Sequence, residues 1–143
     1  MALYSNKADL SAPTKQPVMK KIFTLLLVLT SLFSYSQSTT LVISQFYGAG
    51  GNTGATLNAD YVELHNISAV AQSTAGMSIQ YSSATNTGTW TGVSALPTVS
   101  IPAGGYYLIQ MSSTGANGAA LPTPDYVSNP TIAMSGTNGK VAL

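Results

Sequence analysis

After Gln37 apolar and polar side chains alternate in short runs, and the three-to-four spacing of an amphipathic helix appears nowhere. In Tyr61-Val-Glu-Leu-His65, Val62 and Leu64 point one way and Tyr61, Glu63 and His65 the other. In Met77-Ser-Ile-Gln-Tyr-Ser82, Met77, Ile79 and Tyr81 share one face while Ser78, Gln80 and Ser82 share the other, the pattern of a half-buried strand. Runs of this kind, rich in Val, Ile, Tyr and Thr and separated by Gly, Asn, Ser and Pro, predict an all-β sandwich or barrel. Strands are expected at Leu41–Tyr47, Asp60–Asn66, Met77–Ser83, Thr89–Gly92, Tyr106–Met111, Thr131–Met134 and Lys140–Leu143. Tyr106–Met111 is apolar on both faces, which predicts a central strand covered on both sides or a strand with one face beneath a loop.

The punctuation between the runs supports this reading. Ile101-Pro-Ala-Gly-Gly105 is expected to form a tight turn, with Pro102 fixing φ and Gly104 and Gly105 free to take positive φ. Thr137-Asn-Gly-Lys140 reads as a hairpin turn of the Asn-Gly kind. Ala120-Leu-Pro-Thr-Pro-Asp125 reads as an extended loop, because each proline disfavours helix at the residue before it. Gly48-Ala-Gly-Gly-Asn-Thr-Gly54 matches neither phosphate-binding glycine pattern and leads into no helix, so it is expected to be a flexible inter-strand loop.

The part before this pattern has a different character. Met19-Lys-Lys begins a segment with a positive start, an apolar core from Ile22 to Phe33, and small side chains at Ser34 and Ser36. These are the parts of a secretory signal peptide over 19–36, with cleavage expected before Gln37. The apolar run is shorter than the ~20 residues needed to span a bilayer, so no stable membrane span is expected. Residues 1–18 carry no periodic pattern and read as an upstream segment, with Met19 the expected start. That leaves 37–143 as one domain of a secreted or cell-surface protein.

Removing the signal changes the charge picture. There is no arginine, every lysine but Lys140 lies upstream of Gln37, and the remainder keeps only Asp60, Glu63, Asp125 and Lys140. No basic stripe is available for a phosphate backbone, so direct nucleic-acid binding is not expected. The absence of cysteine excludes disulfides and a thiolate zinc site. An exported domain built this way depends on its apolar core.

Candidate chemistry is sparse. Glu63 and His65 share a strand face while Asp60 points to the other, so the three do not form a cluster, and a solvent-facing polar stripe is the expected role of Glu63 and His65. Asn58 and Asp60 supply too few oxygens for calcium. His65 is the only histidine and no G-x-S-x-G elbow accompanies it, so no catalytic residues, metal or cofactor are assigned. Among the aromatic residues, Tyr47, Tyr61 and Trp90 are the candidates for an exposed sugar- or partner-binding platform. Asn66-Ile-Ser68 matches the glycosylation triplet, which is discounted in a chain of bacterial character.

Several of these stretches together resemble a bacterial lamin tail domain. They are Leu41–Phe46, the Gly/Asn loop, Val62-Glu-Leu-His-Asn66, Met77–Tyr81 with Trp90 nearby, Ile101-Pro-Ala-Gly-Gly-Tyr-Tyr-Leu108, and Met134-Ser-Gly-Thr-Asn-Gly-Lys-Val-Ala-Leu143. The resemblance implies an immunoglobulin-like β-sandwich serving as a non-catalytic accessory module of a secreted protein, with an unknown protein or surface polymer as partner. It also implies at least one more strand beyond Leu143, so the sandwich is expected to be incomplete here. The alternative it implies is an N-terminal fragment of a larger extracellular nuclease or other hydrolase, with its chemistry beyond residue 143.

Overall fold

The computed structural model describes residues 40–143, so the signal-like segment and the residues upstream of it lie outside the described part. Among the described residues every regular element is a strand. In chain order these are β1 (Leu41–Tyr47), β2 (Tyr61–Asn66), β3 (Gln72–Ser73), β4 (Ser78–Ser82), β5 (Gly92–Ala95), β6 (Ser100–Ile101), β7 (Tyr106–Gln110), β8 (Tyr126–Val127) and β9 (Lys140–Ala142). They form a four-stranded sheet β1-β2-β7-β8, a three-stranded sheet β5-β4-β9 and a small β3-β6 pair. All pairings are antiparallel except β7 with β8. The fold is all-β and sandwich-like, with no helix long and apolar enough to cross a membrane among the described residues.

The two larger sheets share one core because their period-two patterns face each other. Val62 and Leu64 of β2, opposite Ile109 and Tyr107 of β7, supply one side, and Ile79 with the partly buried Met77 and Tyr81 supplies the other. Ile101, Leu96, Met111, Ile132 and Met134 fill the space between. Each fully buried aliphatic side chain contributes about 1.5–3 kcal/mol, and with no disulfide available this burial is the main cohesion.

Four sequence expectations need correction. Thr131–Met134 is not a strand: its donors go to unrelated partners, Ile132 N–H to the Met111 carbonyl at 2.6 Å and Met134 N–H to the Asp60 carboxylate at 2.6 Å, so no ladder forms. The Asn-Gly hairpin therefore has no first strand. Gly139 instead lets the chain pass against the Tyr81 ring, where an added Cβ would lie 2.7 Å from Cε2. The strand read at Thr89–Gly92 begins only at Gly92, because Asn86 Nδ2 donates to the Thr89 carbonyl and holds that segment in the turn. β7 is not covered on both faces: Tyr107 and Ile109 are buried, while Tyr106 is 59% exposed. The Ile101–Gly105 turn forms as expected, closed by the Gly105 N–H on the Pro102 carbonyl at 2.9 Å, with positive φ at Gly104 alone of its two glycines.

Candidate functional site

The outward face of the four-stranded sheet gathers the polar and aromatic side chains that the strand alternation turns away from the core. Residues directly opposite one another in a ladder share a face. The β1-β2 and β2-β7 registers thus define three rows across the sheet: Tyr47–Tyr61–Gln110, Gln45–Glu63–Leu108 and Val42–His65–Tyr106. Four residues separate the outer rows along β2, a span of about 13 Å. A β-bulge between Ile43 and Gln45 adds Ser44 to β1 without a partner residue on β2.

Each row is held by named contacts. Tyr47 and Tyr61 stack with ring centroids 5.9 Å apart and planes 17° from parallel. His65 and Tyr106 stack more closely, at 4.2 Å and 6°. The Tyr61 hydroxyl donates to Gln45 Oε1 at 3.0 Å, and the Tyr47 hydroxyl accepts the Thr56 N–H at 2.9 Å. Between the two stacks, Ser44 Oγ donates to Glu63 Oε1 at 2.6 Å. The bulge is what brings Ser44 to Glu63.

Trp90, the third aromatic candidate, belongs to the β4–β5 connection of the other sheet and is 37% exposed. Tyr47 and Tyr61 are therefore brought together and Trp90 stands apart from them in the fold. Tyr106 is the platform residue that sequence reasoning missed. The sequence reading expected both faces of Tyr106–Met111 to be covered, and only the β2-β7 register shows that Tyr106 lies beside His65.

The three carboxylates do different work. Asp60 is 2% exposed and accepts the Gly50 N–H at 2.5 Å on Oδ1 and the Met134 N–H at 2.6 Å on Oδ2. Burial pushes its carboxyl above the ordinary value of 3.8, and the two backbone donors oppose that shift. Asp125 accepts the Leu108 N–H at 2.7 Å and returns its own N–H to the Leu108 carbonyl at 2.9 Å, pinning the approach to β8. Burial, followed by the Asp125 charge and Tyr126, raises the Tyr107 phenol. Of these three carboxylates only Glu63 lies on the outer face of the four-stranded sheet. Asn58 Oδ1 accepts the Leu121 N–H at 3.1 Å, so Asn58 and Asp60 both spend oxygens on backbone donors. Among the described residues no three His, Cys, Asp or Glu side chains gather as a metal site would require.

The glycine loop after β1 is docked, which corrects its reading as a flexible connection. Ala49 N–H donates to the Met134 carbonyl at 3.0 Å and Gly51 N–H to the Leu57 carbonyl at 2.9 Å. Gly50 passes so close to the following chain that an added Cβ would sit 2.1 Å from the Ala59 carbonyl carbon. Glycine is needed there for close approach of backbone to backbone.

Asn66 is also structural. It is fully buried, and its Nδ2 donates to the carbonyls of Val70, Ile101 and Pro102 at 2.8, 2.9 and 3.0 Å. An amide so enclosed cannot carry a glycan in the folded protein.

No family model, curated protein or solved structure matches this chain.

Proposed function

We propose that this chain is a non-catalytic interaction module of a secreted or cell-surface bacterial protein, of the lamin tail type with an immunoglobulin-like sandwich. In this reading it holds a protein or surface polymer against the outer face of the four-stranded sheet. The observation that carries the reading is the pair of aromatic stacks, Tyr47–Tyr61 and His65–Tyr106, on either side of Glu63. Partly exposed rings at one end of a polar strip, and the exposed Tyr106 ring at the other, can stack on sugar rings or on planar side chains, and the strip between them offers hydrogen-bond acceptors and one negative charge. The carboxylates do not converge on a common reacting position: Asp60 and Asp125 hold backbone, and Glu63 holds Ser44.

The family reading draws support from where its stretches fall. Leu41–Phe46 lies in β1, Val62–Asn66 in β2 and Met77–Tyr81 across β4, while Ile101–Leu108 forms the turn into β7. Export is supported by the signal-like segment ending before Gln37.

The test is binding of the protein to peptidoglycan sacculi, chitin and cellulose, followed by mapping with backbone amide shifts. The expected result is saturable retention on at least one polymer, with shifts centred on Tyr61, His65 and Tyr106. Shifts confined to other faces would contradict the assignment of the surface.

A further inference from the structure

Two Asn-Gly steps occur in the chain, Asn117-Gly118 and Asn138-Gly139, and the fold holds them differently. An asparagine side chain can be attacked by the backbone nitrogen of the next residue, closing a five-membered succinimide ring. A following glycine favours the attack, because no Cβ shields the nitrogen and its free backbone dihedrals let it reach the side-chain carbonyl carbon. Both reacting groups belong to consecutive residues of one chain, so the chemistry needs no partner beyond water. Its speed is set by how firmly the fold holds the amide and the backbone on either side of it.

Asn117-Gly118 is tied down from several sides. Asn117 Nδ2 donates to the Gly51 carbonyl at 3.1 Å. Gly118 has a φ of 90° and lies so close to Leu57 that an added Cβ would sit 2.5 Å from the Leu57 carbonyl carbon. The next residue is fixed at both backbone groups: the Ala119 N–H donates to the Thr56 carbonyl at 2.9 Å, and the Ala119 carbonyl accepts the Asn58 N–H at 2.8 Å. Turning the Gly118 nitrogen onto the Asn117 side chain breaks the bond to Gly51 and disturbs this docked backbone.

Asn138-Gly139 lacks these restraints. Both residues are exposed, and the Asn138 side chain makes no hydrogen bond among the described residues. The turn before it is closed by Ser135 Oγ, which takes the Thr137 N–H at 3.3 Å and the Asn138 N–H at 3.5 Å, both longer than ordinary N–H···O bonds. Gly139 packs on the Tyr81 ring, a side chain that can give way, where Gly118 packs on backbone. Ladder pairing begins only at Lys140, opposite Ser82.

We propose that Asn138-Gly139 is a site of self-modification, where Asn138 converts to isoaspartate and aspartate while the fold spares Asn117. In the first step the Gly139 nitrogen bonds to Asn138 Cγ and the Cγ–Nδ2 bond breaks. The Gly139 proton leaves with the amide nitrogen as ammonia. Water then adds to one ring carbonyl, giving its hydroxyl to the carbon and its other proton to the ring nitrogen. Opening at Cγ yields aspartate; opening at the Asn138 main-chain carbonyl yields isoaspartate, whose backbone is longer by one methylene. No oxidant, reductant or cofactor enters. Either product places a carboxylate two residues before Lys140, and isoaspartate adds chain length directly ahead of β9.

The test incubates the full chain at mildly alkaline pH, well below its melting temperature, and follows both sites by peptide mapping with mass spectrometry. Conversion is read from the exchange of NH₂ for OH, and isoaspartate from enzymatic methylation of its carboxyl. Asn138 should convert about tenfold or more faster than Asn117, as one hydrogen bond and a docked backbone at the slower site imply. The same measurement in urea should bring the two rates together, because the unfolded chain removes the difference in restraint. Asn138→Gln should abolish conversion at that position, since a six-membered ring closes far more slowly, and leave Asn117 unaffected. Conversion of Asn117 at an equal or higher rate in the folded protein overturns the proposal. So does a folded Asn138 that stays intact while the unfolded chain converts, or a rate ratio that persists in urea. Aspartate without isoaspartate would indicate direct hydrolysis of the amide and overturn the succinimide route.

Discussion

The Asp60 carboxylate accepts the backbone N–H of Met134 across 74 residues of chain, at 2.6 Å and out of reach of solvent. Its other oxygen takes the Gly50 N–H, so one side chain ties the glycine loop and the irregular segment before β9 to the start of β2. This clasp explains why 131–134 stays extended without being a strand, and why the glycine loop is docked.

Replacing Asp60 by Asn tests the clasp. The amide can accept one N–H, but its NH₂ group then faces the other donor, leaving a buried group unsatisfied at a cost of about 1–3 kcal/mol. Urea unfolding at neutral pH should show that loss. The pH dependence has a definite sign. Because the folded state raises the Asp60 pKa above 3.8, the folded form binds the proton more tightly than the unfolded chain. Its contribution is therefore most favourable below 3.8 and falls as pH rises through the raised value. The stability difference between the unaltered protein and Asp60→Asn should widen as pH is lowered from neutral toward about 4.

Asn66 should prove more sensitive than its exposed neighbours. Asn66→Ala removes the amide's donations to the Val70, Ile101 and Pro102 carbonyls and strands the Ser68 N–H that Oδ1 accepts at 3.0 Å. A loss of roughly 3 kcal/mol in a urea titration is expected from several hydrogen bonds lost at one buried corner. Asn66→Asp should be worse, since a carboxylate would face three carbonyl oxygens where the amide donated. Equal stability of Asn66→Ala and the unaltered protein would show that the corner is held by its turns alone.

Ser94 gives the opposite expectation. It is fully buried on β5, opposite Ile79, and its Oγ has no hydrogen-bond partner. Ser94→Ala removes a desolvated hydroxyl without leaving another group unpaired. Thermal unfolding should therefore change little or shift upward, within about 1 kcal/mol. A clear destabilisation would mean that the hydroxyl has a partner after all.

The strands carrying strict alternation were legible from sequence because each has one wet face. β2 and β4 came out with the correct inward residues, Val62 and Leu64 in one and Ile79 in the other. The two-residue strands β3, β6 and β8 were not legible, since two residues carry no period. Ile132 and Met134 alternate like a strand and are buried like one, yet their donors serve Met111 and Asp60; periodicity reports burial, not the identity of the hydrogen-bond partner. For the same reason the sequence placed Tyr61, Glu63 and His65 on one face but could not pair Tyr106 with His65. That contact depends on the β2-β7 register, which joins residues far apart in the chain. The bulge that delivers Ser44 to Glu63 left no readable mark in Leu41–Tyr47.

The most direct measurement compares the unaltered protein with a Tyr61→Ala/Tyr106→Ala variant for retention on sacculi, chitin and cellulose. One ring is removed from each stack, and both lie on the solvent side of the sheet, so the melting temperature should fall by no more than a few degrees. If the outer face is the binding surface, the variant should lose about tenfold or more in affinity for the polymer that retains the unaltered protein. Full-strength binding by the folded variant, or no retention of the unaltered protein on any of the three, would contradict the assignment.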